Sequence, residues 1–451
     1  MRRKLLSMLP RFRNAYASLD ELASRESWRR KEIEAHQLEQ LNRLWSAAVK
    51  HVPYYRTLRQ SLRLPNSFDS LEQFSEQVPV LKKSFVRDSR KQLYSDSPAR
   101  GGWHHTSGST GSPTAVYREH RAHFEMLRAR YRFNQRWDTD FLDRWVYIWG
   151  NSGSLAHGWA GLKHRIKTPV QDWLRNRMRL SPYDLRPSTL RRQLDRIAKF
   201  KPAAIYSHSM AAHLLAIEAR NIGFECPTLK TAVLTAEPVR TRTVRAVSEG
   251  LGVQALSEYG CVECGFIAGS EPDGRMQVRE DYVILETIRR PDDRYDIVVT
   301  VLNNPSFPLI RYAIGDIATN AIAKPENGFA TLGEIEGRDF DFIISESGAV
   351  LHGQIFEDII DRYPGIRRWR VRQRDNGSVH VLIEFFQRSP GAIVEDLQKR
   401  FSALLEGYPV AVSIVKEIQA GPSGKHRTIA SELSRKISVH QNADSSVESA
   451  K

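Results

Sequence analysis

The chain has 451 residues, 41% of them hydrophobic, and three cysteines. That is more than one ordinary domain needs, too apolar for a disordered chain, and too poor in cysteine for a disulfide framework. No run of 18 apolar residues occurs, which excludes a hydropathy-driven spanning helix. The 67 Lys and Arg exceed the 52 Asp and Glu by 15, an excess compatible with nucleic acid, an anionic membrane, an anionic small molecule or mere solubility.

The first residues, Met1 to Pro10, start basic, but the apolar stretch Leu5 to Leu9 is short and interrupted by Ser7. No secretion is expected, and a cytoplasmic location is. Arg2, Arg3, Lys4, Arg11 and Arg13 around these leucines also suit a membrane-surface helix, peripheral to the inner membrane, although Pro10 breaks its continuity. Residues 27–52 place Leu38, Leu41, Trp45, Ala48 and Val52 on one helical face, and Pro53 ends that helix. Residues 101–114, rich in Gly, Ser and Thr, read as a loop. A helix over 120–135 and a buried strand over 144–150 follow, then a small-residue loop from Asn151.

From 186 onward strands and helices alternate: helix 189–199, strand 203–207, helix 210–221, strand 230–235, helix 238–249 and strand 253–256. This pattern predicts a largely parallel sheet covered on both faces, with its ligand crevice at the strands' carboxyl ends. Past 281 strands dominate, at 282–287, 295–302 and 309–319. A hairpin over 367–386 turns at Asp375-Asn376-Gly377. A helix with Ile393, Leu397, Phe401 and Leu404 on one face follows, then a strand at 409–418. The expected organisation is a helical region over 1–80, a large domain over 81–337 and a small α+β domain over 338–438. The tail 439–451 lacks apolar periodicity and reads as disordered.

Five segments carry candidate chemistry. Thr106-Ser107-Gly108-Ser109-Thr110-Gly111-Ser112-Pro113 combines two glycines with hydroxyls. Such a loop brings backbone N–H groups close to phosphate oxygens, though the lysine of a Walker A loop is absent; a flexible linker is the alternative. Thr235-Ala236-Glu237-Pro238 follows a strand, where Glu237 also suits the positive end of a helix. Tyr259-Gly260-Cys261-Val262-Glu263 offers a carboxylate of the kind Mg²⁺ prefers, or simply an acidic turn. Arg311-Tyr312-Ala313-Ile314-Gly315-Asp316 ends in an acceptor suited to two ribose hydroxyls, or in a turn aspartate. Gly421 to Arg427, GPSGKHR, presents Lys425 in a Gly-rich turn.

In this order the segments resemble the adenylate-forming superfamily: acyl- and aryl-CoA ligases, peptide-synthetase adenylation domains and luciferases. Thr114 where a lysine is common, the TAEP and RYAIGD segments, HVPYYR at 51–56 and VPVLKKS at 78–84 resemble the phenylacetate–CoA ligase branch. Gly353 to Ile360, GQIFEDII, with the WRVRQ strand, looks more like the capsular-polysaccharide-cluster branch. The resemblance spans about Val52 to Leu433. It implies an α/β fold: a large N-terminal adenylate-forming domain with parallel and mixed sheets and helices, plus a small mobile C-terminal α+β domain.

It also implies roles. Thr106, Ser107, Gly108, Ser109, Thr110 and Gly111 would cradle phosphates, with Thr110 and Glu263 on Mg²⁺. Ala236, Glu237, Pro238, Tyr259 and Gly260 would line the adenine pocket, and Asp316 would hold the ribose. Gly337-Arg338-Asp339-Phe340-Asp341 would be the hinge, with Arg338 on ribose or phosphate, and Lys425 would enter the site during adenylation. The implied ligands are ATP, Mg²⁺, a small carboxylic acid and coenzyme A; no specific nucleic-acid partner is expected. Val262 in place of a hydroxyl residue and Phe340 in place of the hinge acid depart from the pattern. They leave open transfer of AMP or the acyl group to another acceptor, or a non-catalytic basic homologue that binds nucleic acid or membrane. His104 and His105 are weaker candidates for substrate contact, and Tyr147, Trp149, Gly150, Asn151 and Ser207 to Met210 for the acyl pocket. Cys226, Cys261 and Cys264 with nearby histidines are a weak zinc alternative.

Overall fold

A computed structural model describes residues 10–106, 114–149, 172–173, 175–271, 273–338, 342–347, 350–360, 362–363, 365–386, 391–405, 407–419, 426 and 428–433. The chain divides into two compact units, 1–335 and 336–451. The first begins with helices Pro10–Arg25 and Arg30–His51. Pro53 does end the second of these, but it also opens the helix Pro53–Leu62, where a missing N–H costs nothing. Two short helices follow, Leu71–Gln77 and Lys83–Asp88.

Next comes a two-stranded antiparallel ribbon, β1 (Gly101–His105) and β2 (Ala115–Glu119). The first part of the expected loop is therefore a strand. Its glycine-rich composition hides the period-two pattern, which sets Trp103 and His105 on one face and His104 on the other. The helix His120–Gln135 follows.

The large sheet takes β3 (Trp145–Ile148), β4 (Arg177–Leu180), β5 (Ala204–His208), β6 (Thr231–Thr235), β7 (Gln254–Cys261), β8 (Gly265–Ser270), β9 (Met276–Val278) and, later in the chain, Thr331–Leu332. Strands β4, β3, β5, β6 and β7 are parallel neighbours. From β7 through β8 and β9 the pairing turns antiparallel. The sheet is thus mixed, and its change of direction falls at the end of β7. One face is covered by helices Pro187–Phe200, Ser209–Asn221 and Thr241–Leu251. In the first of these, Leu190, Leu194 and Ile197 recur at helical spacing and are fully buried. Burial of each such side chain contributes roughly 1.5–3 kcal/mol. The helix His120–Gln135 packs on the other face through Met126, Ala129 and Phe133.

A meander of β10 (Val283–Arg289), β11 (Tyr295–Val301) and β12 (Tyr312–Ala318) completes the unit. The late strand of the large sheet is β13 (Thr331–Leu332), and β14 (Ile335–Arg338) runs across the division between units.

The second unit has a short ribbon, β15 (Phe342–Ile344) with β16 (Val350–His352). Its main sheet contains β17 (Ile366–Gln373), β18 (Val379–Phe385), β19 (Val410–Ile414) and β20 (Ile429–Ser431) in the order β19-β18-β17-β20. The β17–β18 hairpin turns at Asp375-Asn376-Gly377, with φ +84° at Gly377. Helices Gly353–Ile360 and Gly391–Leu405 bury Phe356, Ile360, Leu397 and Phe401 against Trp369, Val371, Val381 and Ile383. The tail from 434 lies outside the described residues.

Candidate active site

The site is built where β7 ends. Residues 262–264 form the tight turn into β8. Gly260 permits that turn, since an added Cβ would meet the Gly265 carbonyl oxygen at 2.2 Å. The turn carries Glu263, only 5% exposed. Its Oε1 receives the Tyr312 hydroxyl at 3.2 Å and lies 3.0 Å from the Lys83 ammonium. Arg118, on β2, donates to the backbone carbonyls of Val262 and Glu263 and so fixes the turn from the other side.

The partners of Glu263 come from distant sequence through a clear chain of causes. Arg311 forks onto Glu286 and also donates to the carbonyls of Ser75 and Val78. That contact docks residues 78–83 beside β12: Leu81 N–H donates to Arg311 at 2.8 Å and Ala313 N–H to Leu81 at 3.0 Å. Lys83 then reaches both Glu263 and the Ile314 carbonyl, the latter at 3.2 Å. On β12, Gly315 has φ +85°, a left-handed conformation that glycine adopts freely. The irregularity it creates lies between the Asp296–Ile317 and Val298–Ala313 pairings. It leaves Tyr312 facing Glu263, and Asp316 facing Tyr259 at 3.0 Å from its hydroxyl. Burial, then the adjoining carboxylates, push both phenols well above their ordinary range, so each stays a donor. Tyr259 and Asp316, the expected adenine and ribose residues, are thus in contact.

The loop after β6 differs from expectation. Ala236 adopts φ +71°, uncommon for a residue with a side chain. The following helix starts at Thr241, beyond Pro238. Glu237 turns back instead and accepts the Met210 N–H at 2.9 Å, in the first turn of the preceding helix, Ser209–Asn221. Parallel β5 and β6 set these two loops side by side.

Thr106 and Thr114 close the neck of the phosphate-loop candidate: Thr106 N–H donates to the Thr114 carbonyl at 2.9 Å, and Thr114 N–H to the Thr106 hydroxyl at 2.8 Å. Ser107, Gly108, Ser109, Thr110 and Gly111 lie outside the described residues, as do Gly150, Asn151, Asp339, Phe340, Asp341 and Lys425. Arg338 is described only as backbone on β14.

Among the weaker candidates, His104 stacks on His123 with centroids 5.9 Å apart. Burial, then Arg118, His104, Arg130 and Arg175, depress His123 to about 4. Tyr147 and Trp149 pack on Tyr206, and Trp149 meets His208 edge-on at 4.4 Å. Cys226, Cys261 and Cys264 are free thiols. Among the described residues no group of three or more His, Cys, Asp or Glu could hold a metal ion. A Mg²⁺ at Glu263 would therefore take much of its oxygen shell from nucleotide phosphates, which is how that ion is commonly held.

Sequence reading missed a buried carboxylate on β7 itself. Glu258 Oε1 receives Arg130 at 2.6 Å and the Tyr206 hydroxyl at 2.8 Å. The Arg130 guanidinium also lies 5.5 Å from the Tyr206 ring centroid. Period two was the available signal: residues 256, 258 and 260 share one face of β7, so the acid at 258 must point into the packed interior.

Comparison with known proteins bears on the fold. The chain superimposes on structures of 2-hydroxyisobutyryl-CoA ligase. The match to its postadenylation state with R3-HIB-AMP has TM-score 0.69 and 20% identity, covering 93% of this chain and 94% of the other. The match to its thioesterification state with 2-HIB-AMP and CoA has TM-score 0.58, 21% identity and the same coverage. The chain has the adenylate-forming ligase fold. Its sequence relatives include the phenylacetate–coenzyme A ligase of Thermus thermophilus, 28% identical over 343 residues, 71% of this chain and 73% of that protein. That of Pseudomonas putida is 23% identical over 382 residues, 77% and 81% of the two chains. No family model matches the sequence. In the adenylate-forming fold found here, no helix among the described residues is long and apolar enough to cross a membrane.

Proposed function

We propose that this chain is an AMP-forming acid–thiol ligase. The observation that carries the reading is the convergence at the end of β7, where Tyr259 meets Asp316 and Glu263 sits in the following turn. Asp316 would accept the ribose hydroxyls and Tyr259 would flank the adenine. Glu263 would face the phosphates across the Thr106–Thr114 neck. The relatives named phenylacetate–coenzyme A ligase, and the neighbour complexes with an acyl-AMP and with CoA, support the same reaction class.

In the first half-reaction a carboxylate oxygen attacks the α-phosphorus of ATP. The bond to the bridging oxygen breaks and pyrophosphate leaves. Positioning and charge stabilisation carry the step, so no side-chain nucleophile is required. Mg²⁺, when bound at Glu263, supplies charge neutralisation on the phosphates. Lys83, already on Glu263, can swing its ammonium to a phosphate oxygen, since a lysine is a flexible point charge. Lys425 would bridge the developing negative oxygens, and Arg338 would hold ribose or phosphate. In the second half-reaction a thiolate sulfur, that of coenzyme A, attacks the acyl carbon and AMP departs with the bonding pair. Rotation about residues near Arg338 to Asp341 would exchange the two arrangements. The resemblance of Gly353–Ile360 to the capsular-polysaccharide-cluster branch would place such a ligase in envelope polysaccharide synthesis.

Thermal unfolding with AMP and with Mg·ATP tests the nucleotide site. A nucleotide at 100 times its Kd stabilises by about 2.7 kcal/mol. Asp316→Ala should abolish that shift. Pyrophosphate release across a panel of aryl and alkyl acids then identifies the substrate. No shift in the wild type at millimolar nucleotide would overturn the ligase reading.

A further inference from the structure

Apart from the β7 site, the hairpin that holds the phosphate-loop candidate has an outer face with its own pocket. A space of about 330 Å³ is lined by Arg90, Lys91, Tyr94, Trp103 and His105. That volume is in the range of small-molecule sites. Trp103 is 42% exposed although it is a large aromatic on a five-residue strand. One side of its ring is held edge-on by Tyr117 and Phe307, at 5.6 and 5.9 Å. Tyr94 stands 5.3 Å away and the Arg90 guanidinium 5.7 Å from the ring centroid. Neither Arg90 nor Lys91 forms an ion pair among the described residues, and both are exposed. The pocket therefore joins a rigid, partly bare indole to two cations without counter-charges. Such a combination binds a planar ring bearing phosphate: the ring stacks and the phosphate meets the cations.

Alternation along β1 decides which reactant this is. His104 faces His123 and the interior, whereas Trp103 and His105 face outward. The pocket is thus on the opposite face of the ribbon from the elements that pack around β7. Under the ligase reading the adenosine of ATP is already assigned to Tyr259 and Asp316. His105 directly precedes Thr106, at the neck of the phosphate-loop candidate, so the pocket adjoins that loop in sequence.

We propose that this pocket seats the phosphorylated nucleotide end of the thiol acceptor, with the base on Trp103 and phosphate on Arg90 and Lys91. The assignment rests on the acid–thiol ligase reading, and the two fail separately. Calorimetric titration of the full chain with adenosine 3′,5′-bisphosphate gives the first arm. Trp103→Ala and the double variant Arg90→Ala/Lys91→Ala should each weaken binding about tenfold or more, Trp103→Phe should retain it, and Asp316→Ala should leave it intact. In the second arm, the double variant should raise KM for coenzyme A about tenfold while pyrophosphate release from acid and ATP alone stays at the wild-type rate. Unchanged bisphosphate affinity in both pocket variants overturns the proposal, whatever the chain's activity. Loss of binding in Asp316→Ala but not in the pocket variants also overturns it, because the probe then occupies the AMP site. A wild type that binds the bisphosphate through Trp103 yet releases no pyrophosphate refutes the ligase reading and leaves the nucleotide pocket standing.

Discussion

Glu258 and Glu263 lie five residues apart, one on β7 and one in the turn that ends it, and each is 5% exposed. Each gives one carboxylate oxygen to a cation and a tyrosine hydroxyl. At Glu258 these are Arg130 and Tyr206, at 2.6 and 2.8 Å; at Glu263 they are Lys83 and Tyr312, at 3.0 and 3.2 Å. The difference is in the cation. Arg130 is a planar, permanently charged fork wedged between the carboxylate and the Tyr206 ring, and it ties the helix His120–Gln135 to two strands. Lys83 is a hydrated point charge on a flexible stem, one third exposed, and can release its partner. The first centre suits permanence and the second exchange. Two buried acids of similar appearance are thus neutralised differently, one in a way that suits a scaffold and the other in a way that suits the ligand role proposed for Glu263.

The largest effect should come from breaking the permanent centre. Glu258→Ala strands Arg130 without its counter-charge, for which a loss of about 3–5 kcal/mol is expected. Denaturant unfolding measures it. The double variant Arg130→Met/Glu258→Met removes both charges and should be much less destabilised than the single one. Equal losses would mean that packing, and not charge pairing, holds this region.

Breaking the exchangeable centre should do the reverse. Glu263→Gln keeps the shape and the Tyr312 contact but removes the charge. Pyrophosphate release should fall about 100-fold, equivalent to about 2.7 kcal/mol in the barrier, while the unfolding free energy changes by about 1 kcal/mol or less. A variant that unfolds like Glu258→Ala and retains its rate would erase the distinction between the centres.

This asymmetry also explains what is legible in the sequence. Gly260, Gly315 and the threonines of the phosphate-loop neck are legible because backbone geometry admits few residue types there, so chemistry and position coincide. Alternating helices and strands give the parallel part of the sheet, but its reversal at β8 depends on the three-residue turn at 262–264 and has no periodic signature. Cationic partners are not legible at all. Arg130 is 128 residues from Glu258, and one Arg among 67 basic residues carries no mark of its partner. Lys83 stands in a segment that resembles known ligases, yet its contact with Glu263 requires the docking of residues 78–83 on β12 through Arg311, a tertiary event. Glu237 suits a helix N-terminus on either side of its loop; only the adjacency of β5 and β6 selects the earlier helix.

His123 tests the charge environment that the two centres share. Burial comes first in holding it near 4, followed by Arg118, which grips the Glu263 turn, then His104, Arg130 and Arg175. Its folded value lies below the ordinary 6.5. The unfolded chain therefore takes up the proton first, and the contribution of neutral His123 is complete above about 6.5 and lost as pH falls toward 4. With solvent screening allowed for, on the order of 1–2 kcal/mol is expected. His213, also depressed to about 4 by burial and then Arg242, acts in the same window. His123→Gln should therefore flatten only part of the fall in unfolding temperature between pH 6.5 and 4. No change in slope would mean that His123 titrates alike in the folded and unfolded chain, so that neither its burial nor the cations around it disfavour its charged form.

The smallest and sharpest comparison uses the two phenols. Tyr206→Phe and Tyr312→Phe each remove one hydroxyl donated to a buried carboxylate, a change worth about 1 kcal/mol. At Glu258 nothing replaces the donor, because Arg130 is already committed, so the loss should appear in denaturant stability and leave the rate within a factor of two or so. At Glu263 the ammonium of Lys83, or a metal-bound phosphate, can take up the freed lone pair. Tyr312→Phe should then hold its stability more closely but alter the Mg²⁺ concentration needed for half-maximal pyrophosphate release, by about fivefold for a contact of this size. If both variants lose the same stability and neither changes the Mg²⁺ requirement, Lys83 holds Glu263 as firmly as Arg130 holds Glu258. Exchange at the end of β7 would then have to come from another group.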